Sequence, residues 1–143
     1  MLPVTLHRYT AKEDLDSGRE INLEDLIAVF HEYRSNFNPP YDTSSDALMN
    51  CTFNVSRSSS DFVMVDIIDH DEIHLLSDRI VFPNLISRIF SPSYISFSAK
   101  PNEVVNVLTR YVTLPRDKFE IAYANYFVSN IHGKVKPLEH NDA

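Results

Sequence analysis

The chain has 143 residues, a net charge of −7 at neutral pH, two glycines and one cysteine. That length supports one domain with its own core, and 43% hydrophobic against 23% charged residues places it with ordinary globular chains rather than disordered ones. Gly18 and Gly133 stand too far apart for a phosphate loop or a Rossmann fingerprint, which need close glycines so that backbone N–H groups can approach a phosphate; no cofactor is expected.

The start, MLPVTLHRYT, lacks the basic end and apolar run of a signal peptide, and no apolar run is long enough for a membrane span. Cys51 has no partner for an internal disulfide, so the expected compartment is the reducing cytoplasm. Two N-x-[ST] matches, at Asn50 and Asn54, are then chance. Charge is unevenly placed. Residues 1–60 carry nine acids against five bases, 61–99 six against two, and 100–143 five against six. An acidic body is repelled by nucleic-acid phosphates and by anionic membrane, and it favours a basic protein as partner.

In chain order, 4–9 (VTLHRY) predicts a short strand. Thr10 is a candidate cap for a helical turn over Ala11–Asp16, which Gly18 would end. A longer helix follows: Asn22 caps it, Glu24 and Asp25 suit its positive end, and Leu23, Leu26, Ile27, Phe30 and Phe37 make one stripe. Asn38-Pro39-Pro40 stops it, and a polar loop runs to about Asp46. The runs 48-LMNCTFNVS-56 and 61-DFVMVDIID-69 predict a hairpin joined by Arg57–Ser60. The first alternates Cys51, Phe53 and Val55 with Thr52, Asn54 and Ser56, which predicts one wet face; the second is apolar enough for the sheet centre. A helical turn at 84–90 and a strand at 94–98 come next. Pro101 and Pro115 fit first helical positions, with stripes Val104, Val105, Leu108, Tyr111–Val112 and Phe119, Ala122, Tyr123, Tyr126. Residues 1–131 read as one globular domain and 132–143 as a frayed tail. The fold expected is α+β: a mainly antiparallel sheet with a central hairpin, flanked by an N-terminal helix and two C-terminal helices.

The most distinctive stretch is 66-DIIDHDEIHLLSD-78, with two histidines four apart, five carboxylates and no base. It falls short of the HExxH zinc signature. Asp71 stands where the water-activating Glu belongs, Glu72 is about 100° further round a helix, and Asp78 lies about 12 Å along the axis from His70. As a strand it would instead set His70, Glu72 and His74 on one side, a surface site with no supporting shell. No metal is assigned. Cys51 has no activating histidine nearby in sequence and reads as a small core residue. No G-x-S-x-G elbow occurs, and Asp66 with Asp69 read as exposed strand and turn carboxylates rather than an acid–base pair. Two parses compete for the stretch. One is a helix boxed by Asp69 and Glu72. The other, preferred, is a hairpin of 62–68 and 73–76 turning through Asp69-His70-Asp71-Glu72.

In size, charge and this acidic stretch the chain is similar to the immunity proteins of bacterial interbacterial toxin systems. That resemblance implies a small cytoplasmic protein that neutralises a basic, nuclease-like toxin by direct binding, not an enzyme. Asp69, His70, Asp71, Glu72 and Asp78 are the expected contact residues, with Tyr123 and Tyr126 as aromatic anchors. A monomer or weak dimer is expected, with no nucleic acid or membrane bound. The alternatives are a small metal-assisted hydrolase using His70, His74 and a carboxylate, and a structural or regulatory subunit that dimerises.

Overall fold

The structure is a computed structural model, and it describes residues 3–11, 14–37, 51–78 and 94–122. The predicted loop to Asp46, the turn at 84–90, Tyr123, Tyr126 and the 132–143 tail lie outside the described residues.

The fold is α+β. Seven antiparallel strands pair into one sheet: β1 (Val4–Ala11), β2 (Asp14–Leu15), β3 (Arg19–Ile21), β4 (Thr52–Ser58), β5 (Asp61–Asp69), β6 (Glu72–Asp78) and β7 (Tyr94–Ala99). The path runs β2-β1-β4-β5-β6-β7, with β3 also on β1, so the two strands richest in apolar residues lie inside the sheet. Three described helices accompany it: α1 (Leu23–Asn36), α2 (Pro101–Thr113) and α3 (Arg116–Ala122).

Alternation decides which side they cover. Val4, Leu6, Phe53, Val55, Val63, Val65, Ile67, Ile73, Leu75 and Ile95 are buried on one face. The helices return Leu26, Val29, Phe30 and Tyr33 from α1, Val104, Val107, Leu108, Tyr111 and Val112 from α2, and Phe119 from α3. Tyr33 meets Phe53 edge-on at 4.9 Å, and Val107 and Phe119 close over Val63, Leu75 and Ile95. Burying each such side chain contributes about 1.5–3 kcal/mol, so this layer is the core.

The α1 cap forms as predicted, Asn22 Oδ1 accepting the Asp25 N–H at 2.8 Å. Pro101 opens α2, where the Glu103 carboxylate returns to the Lys100 N–H at 2.9 Å. Within these stripes Val29, Tyr33 and Val107 replace Ile27 and Val105 as buried members, the latter two being only partly covered.

Three local expectations are corrected. The described residues of the predicted helical turn are extended instead: Ala11 ends β1, Asp14–Leu15 form β2, and Gly18 lies between β2 and β3. Its φ of +81° and its approach to Thr5 and His7, where a Cβ would come within 2.5–2.7 Å, explain the glycine. Asp16 fixes the same bend by accepting the N–H groups of Arg8 and Gly18 at 3.1 and 3.0 Å. Cys51 is not mid-strand but immediately precedes β4, and the polar face of β4 is not wet. Thr52, Asn54 and Ser56 are all buried. A sequence pattern shows that two faces differ; it does not show what covers them. Buried in mid-strand, Asn54 is also closed to glycosylation in the folded chain.

At the β4–β5 turn end, the α2–α3 corner is latched to the sheet. Arg116 donates to Asp61 Oδ1 at 2.9 Å, to Ser77 Oγ at 3.1 Å and to the Asp78 carbonyl. Tyr111 donates its hydroxyl to the Asp61 carbonyl at 2.7 Å, and Arg57 stacks on the Tyr111 ring while donating to the Leu114 carbonyl. Burial, with the Asp61 carboxylate second, pushes the Tyr111 hydroxyl pKa far up, so it stays a donor.

Candidate partner-binding site

The stretch 66–78 folds as the preferred hairpin, not as a helix. The turn is shorter than expected: β5 runs to Asp69, β6 starts at Glu72, and only His70 and Asp71 lie between. Residues 69–72 are all exposed. The Asp69 carboxylate turns back to accept the His70 N–H at 2.7 Å, the local bond that makes aspartate a turn former.

The tip is held from outside by α1. Arg34, in the last turn of that helix, donates to the His70 carbonyl at 2.5 Å and to Asp71 Oδ1 at 3.0 Å. Phe37, just past the helix end, meets the His70 imidazole edge-on at 5.7 Å. A stretch without a base in sequence thus gains one in space. The Asp71 side chain is still 76% exposed in this pair, and Asp69 and Glu72 have no ion pair with a described residue. The tip therefore projects negative charge from a tethered backbone.

The histidines part company. His70 faces the α1 side through Phe37, whereas His74 points from the other face of the sheet and shares a 2.7 Å hydrogen bond, through Nε2, with Ser96 Oγ on β7. They do not converge on one ion as the hydrolase reading requires. Among the described residues no three His, Cys, Asp or Glu side chains gather closely enough to hold a metal.

Asp66 and Asp69 are likewise separated. Asp66 is half-buried, opposite His74 across β5–β6, and accepts from the Thr52 hydroxyl at 2.8 Å and the Cys51 thiol at 3.6 Å. Burial raises its pKa, outweighing those two hydrogen bonds and the His74 charge. The Cys51 thiol is buried, which suits a packed sulfur better than a nucleophile. Asp78 does not join the tip. It ends β6, roughly 20 Å from Glu72 at strand rise, with its carbonyl taken by Arg116. It is the one described contact residue that the fold removes from the group.

The arginines explain why the exterior is acidic. Arg8 lies over Tyr33 and pairs with Glu32 at 3.9 Å; Arg34, Arg57 and Arg116 bond as described above. Arg19, Lys100 and Lys118 are the exposed cations among the described residues. Asp14, Glu20, Glu24, Asp25, Glu32, Asp69, Asp71, Glu72 and Asp117 are the exposed acids.

Arg34 also lines an open groove of about 520 Å³ between α1 and the start of α2, with His31, Pro101, Asn102, Val105 and Asn106. Nothing in the sequence spacing pointed to Arg34 as an anchor or to this groove, because the first needs α1 against the β5–β6 turn and the second needs α1 beside α2. No family model, curated protein or solved structure matches the chain. Function therefore rests on the site itself. Among the described residues no helix is long and apolar enough to cross a membrane.

Proposed function

We propose that this chain is a protein-binding module that blocks a cationic protein, and that the partner is a basic toxin for which it serves as the immunity protein. The observation that carries this reading is the hairpin tip: Asp69, Asp71 and Glu72 exposed together on a turn that Arg34 ties to α1. A tethered tip loses less conformational freedom on binding than a free loop, and its net negative charge, with Asp69 and Glu72 beyond the Arg34–Asp71 pair, steers a basic partner during encounter. The engagement of Arg8, Arg34, Arg57 and Arg116 in local contacts supports the same reading, since among the described residues only Arg19, Lys100 and Lys118 are exposed cations.

The test is capture from an extract of the source cells on immobilised chain, loaded at low salt and eluted with a salt gradient. A cationic protein retained at low salt and released as the screening length shrinks is the expected result. Its inhibition in its own activity assay then distinguishes a blocker from a bystander. Failure to retain any basic protein at low salt counts against the proposal.

A further inference from the structure

We infer that the groove between α1 and α2 is the second half of the docking surface, and that it takes an extended segment of the basic partner whose cationic end lies against the hairpin tip. This rests on the function proposed above and adds where the partner's backbone goes. Arg34 makes the connection: it lines the groove and holds Asp71 at 3.0 Å, so the groove opens beside the acidic tip.

The lining is mixed. His31, Asn102 and Asn106 bring polar groups, Asn102 Oδ1 already accepting the Glu103 N–H at 3.1 Å, and Pro101 with Val105 adds apolar surface. His31 and Asn102 are exposed, and the groove is open to solvent. Charge sets the direction. Arg34 is offset by Asp71, which leaves Asp69 and Glu72 as the net charge at the tip, while exposed Lys100 precedes Pro101 at the head of α2. The fitting occupant is uneven: lysine or arginine toward residues 69–72, uncharged toward α2.

The experiment selects a displayed random dodecapeptide library on the full chain at low salt, then measures one enriched peptide, fluorescein-labelled, by anisotropy. Four proteins are compared: the unaltered chain, Asp69→Lys/Glu72→Lys, His31→Trp and Asn102→Trp. The two groove-filling changes are at exposed positions, and circular dichroism verifies that each variant is folded. The inference predicts enriched peptides with a basic end and a neutral remainder. It further predicts binding at least ten-fold weaker both in the tip variant and in one or both tryptophan variants.

Weakening by the tip variant alone overturns the groove inference and leaves the tip reading standing. Weakening by neither, or no enriched peptide, overturns both. A dimer in sedimentation at micromolar concentration that His31→Trp or Asn102→Trp dissolves makes the occupant a second copy of this chain, and overturns the inference as well.

Discussion

Gly18 and Asp66 show how much a single residue's meaning depends on what faces it. Glycine after a short polar run marks either a helix end or a bent strand edge, because both need positive φ. Pairing with β1 selects the second. Gly18→Ala must place a Cβ against Thr5 and His7 in a left-handed conformation. The conformation alone costs about 1–2 kcal/mol. Urea titration should show at least that loss, and an unchanged midpoint would contradict the assigned bend. Asp66 makes a pH prediction. Its folded pKa is raised by burial above its unfolded value, so the folded chain binds more protons in the window between the two. Stability is therefore lost as pH rises through that window, and the deficit persists at neutral pH. Asp66→Asn, which carries no charge to desolvate, should be more stable than the unaltered chain at pH 7, with the advantage shrinking toward pH 4. Denaturation midpoints at the two pH values measure this; a pH-independent difference would refute it.

At the scale of elements, the sequence was legible wherever the signal was local. The Asn22 cap, Pro101 at the head of α2, and the apolar run of β5 each fix a segment from its own residues, whereas β6 was open to a helical parse as well. Long-range pairing was not legible. Arg34 and Asp71 are 37 residues apart, and Arg116 and Asp61 are 55 apart, so no spacing rule joins them. Both pairings nevertheless carry distinct consequences. Asp61→Ala removes one of two carboxylates on the largely buried Arg116, Glu120 staying at 3.5 Å, and takes an acceptor from Tyr111; a hydrogen bond to a charged group contributes about 1.5–3 kcal/mol. Thermal or denaturant unfolding should register that loss, whereas a change below 1 kcal/mol, on the order of a surface pair, would deny the latch its role. Arg34→Ala differs in kind. Its pair with Asp71 is exposed, so global stability should fall by no more than about 1 kcal/mol. The backbone amides of residues 70–72 should nonetheless exchange with solvent faster, as expected for local opening. Unchanged exchange there would mean that α1 does not hold the tip.

For the whole molecule, the α+β class followed from the order of strand-like and helix-like runs, whereas which faces are covered did not: Thr52, Asn54 and Ser56 are buried on the face that alternation marked as wet. The candidate site was half legible. Residues 69–72 stood out as acidic and turn-forming, and they form the exposed tip. The groove, the Arg34 anchor and the withdrawal of Asp78 to the far end of β6 all depend on packing. So does the net surface charge: a composition of 13 bases and 20 acids does not reveal that four described arginines are engaged in ion pairs, stacking or carbonyl bonds. That asymmetry is what the proposed function uses. It is tested most directly by the association rate of the captured cationic partner as a function of ionic strength, for the unaltered chain and for Asp69→Lys/Glu72→Lys. A steered encounter predicts a rate that falls steeply with salt and drops about ten-fold or more in the variant at low salt. Equal rates for the two proteins across the salt series would contradict the assignment of the hairpin tip as the docking surface.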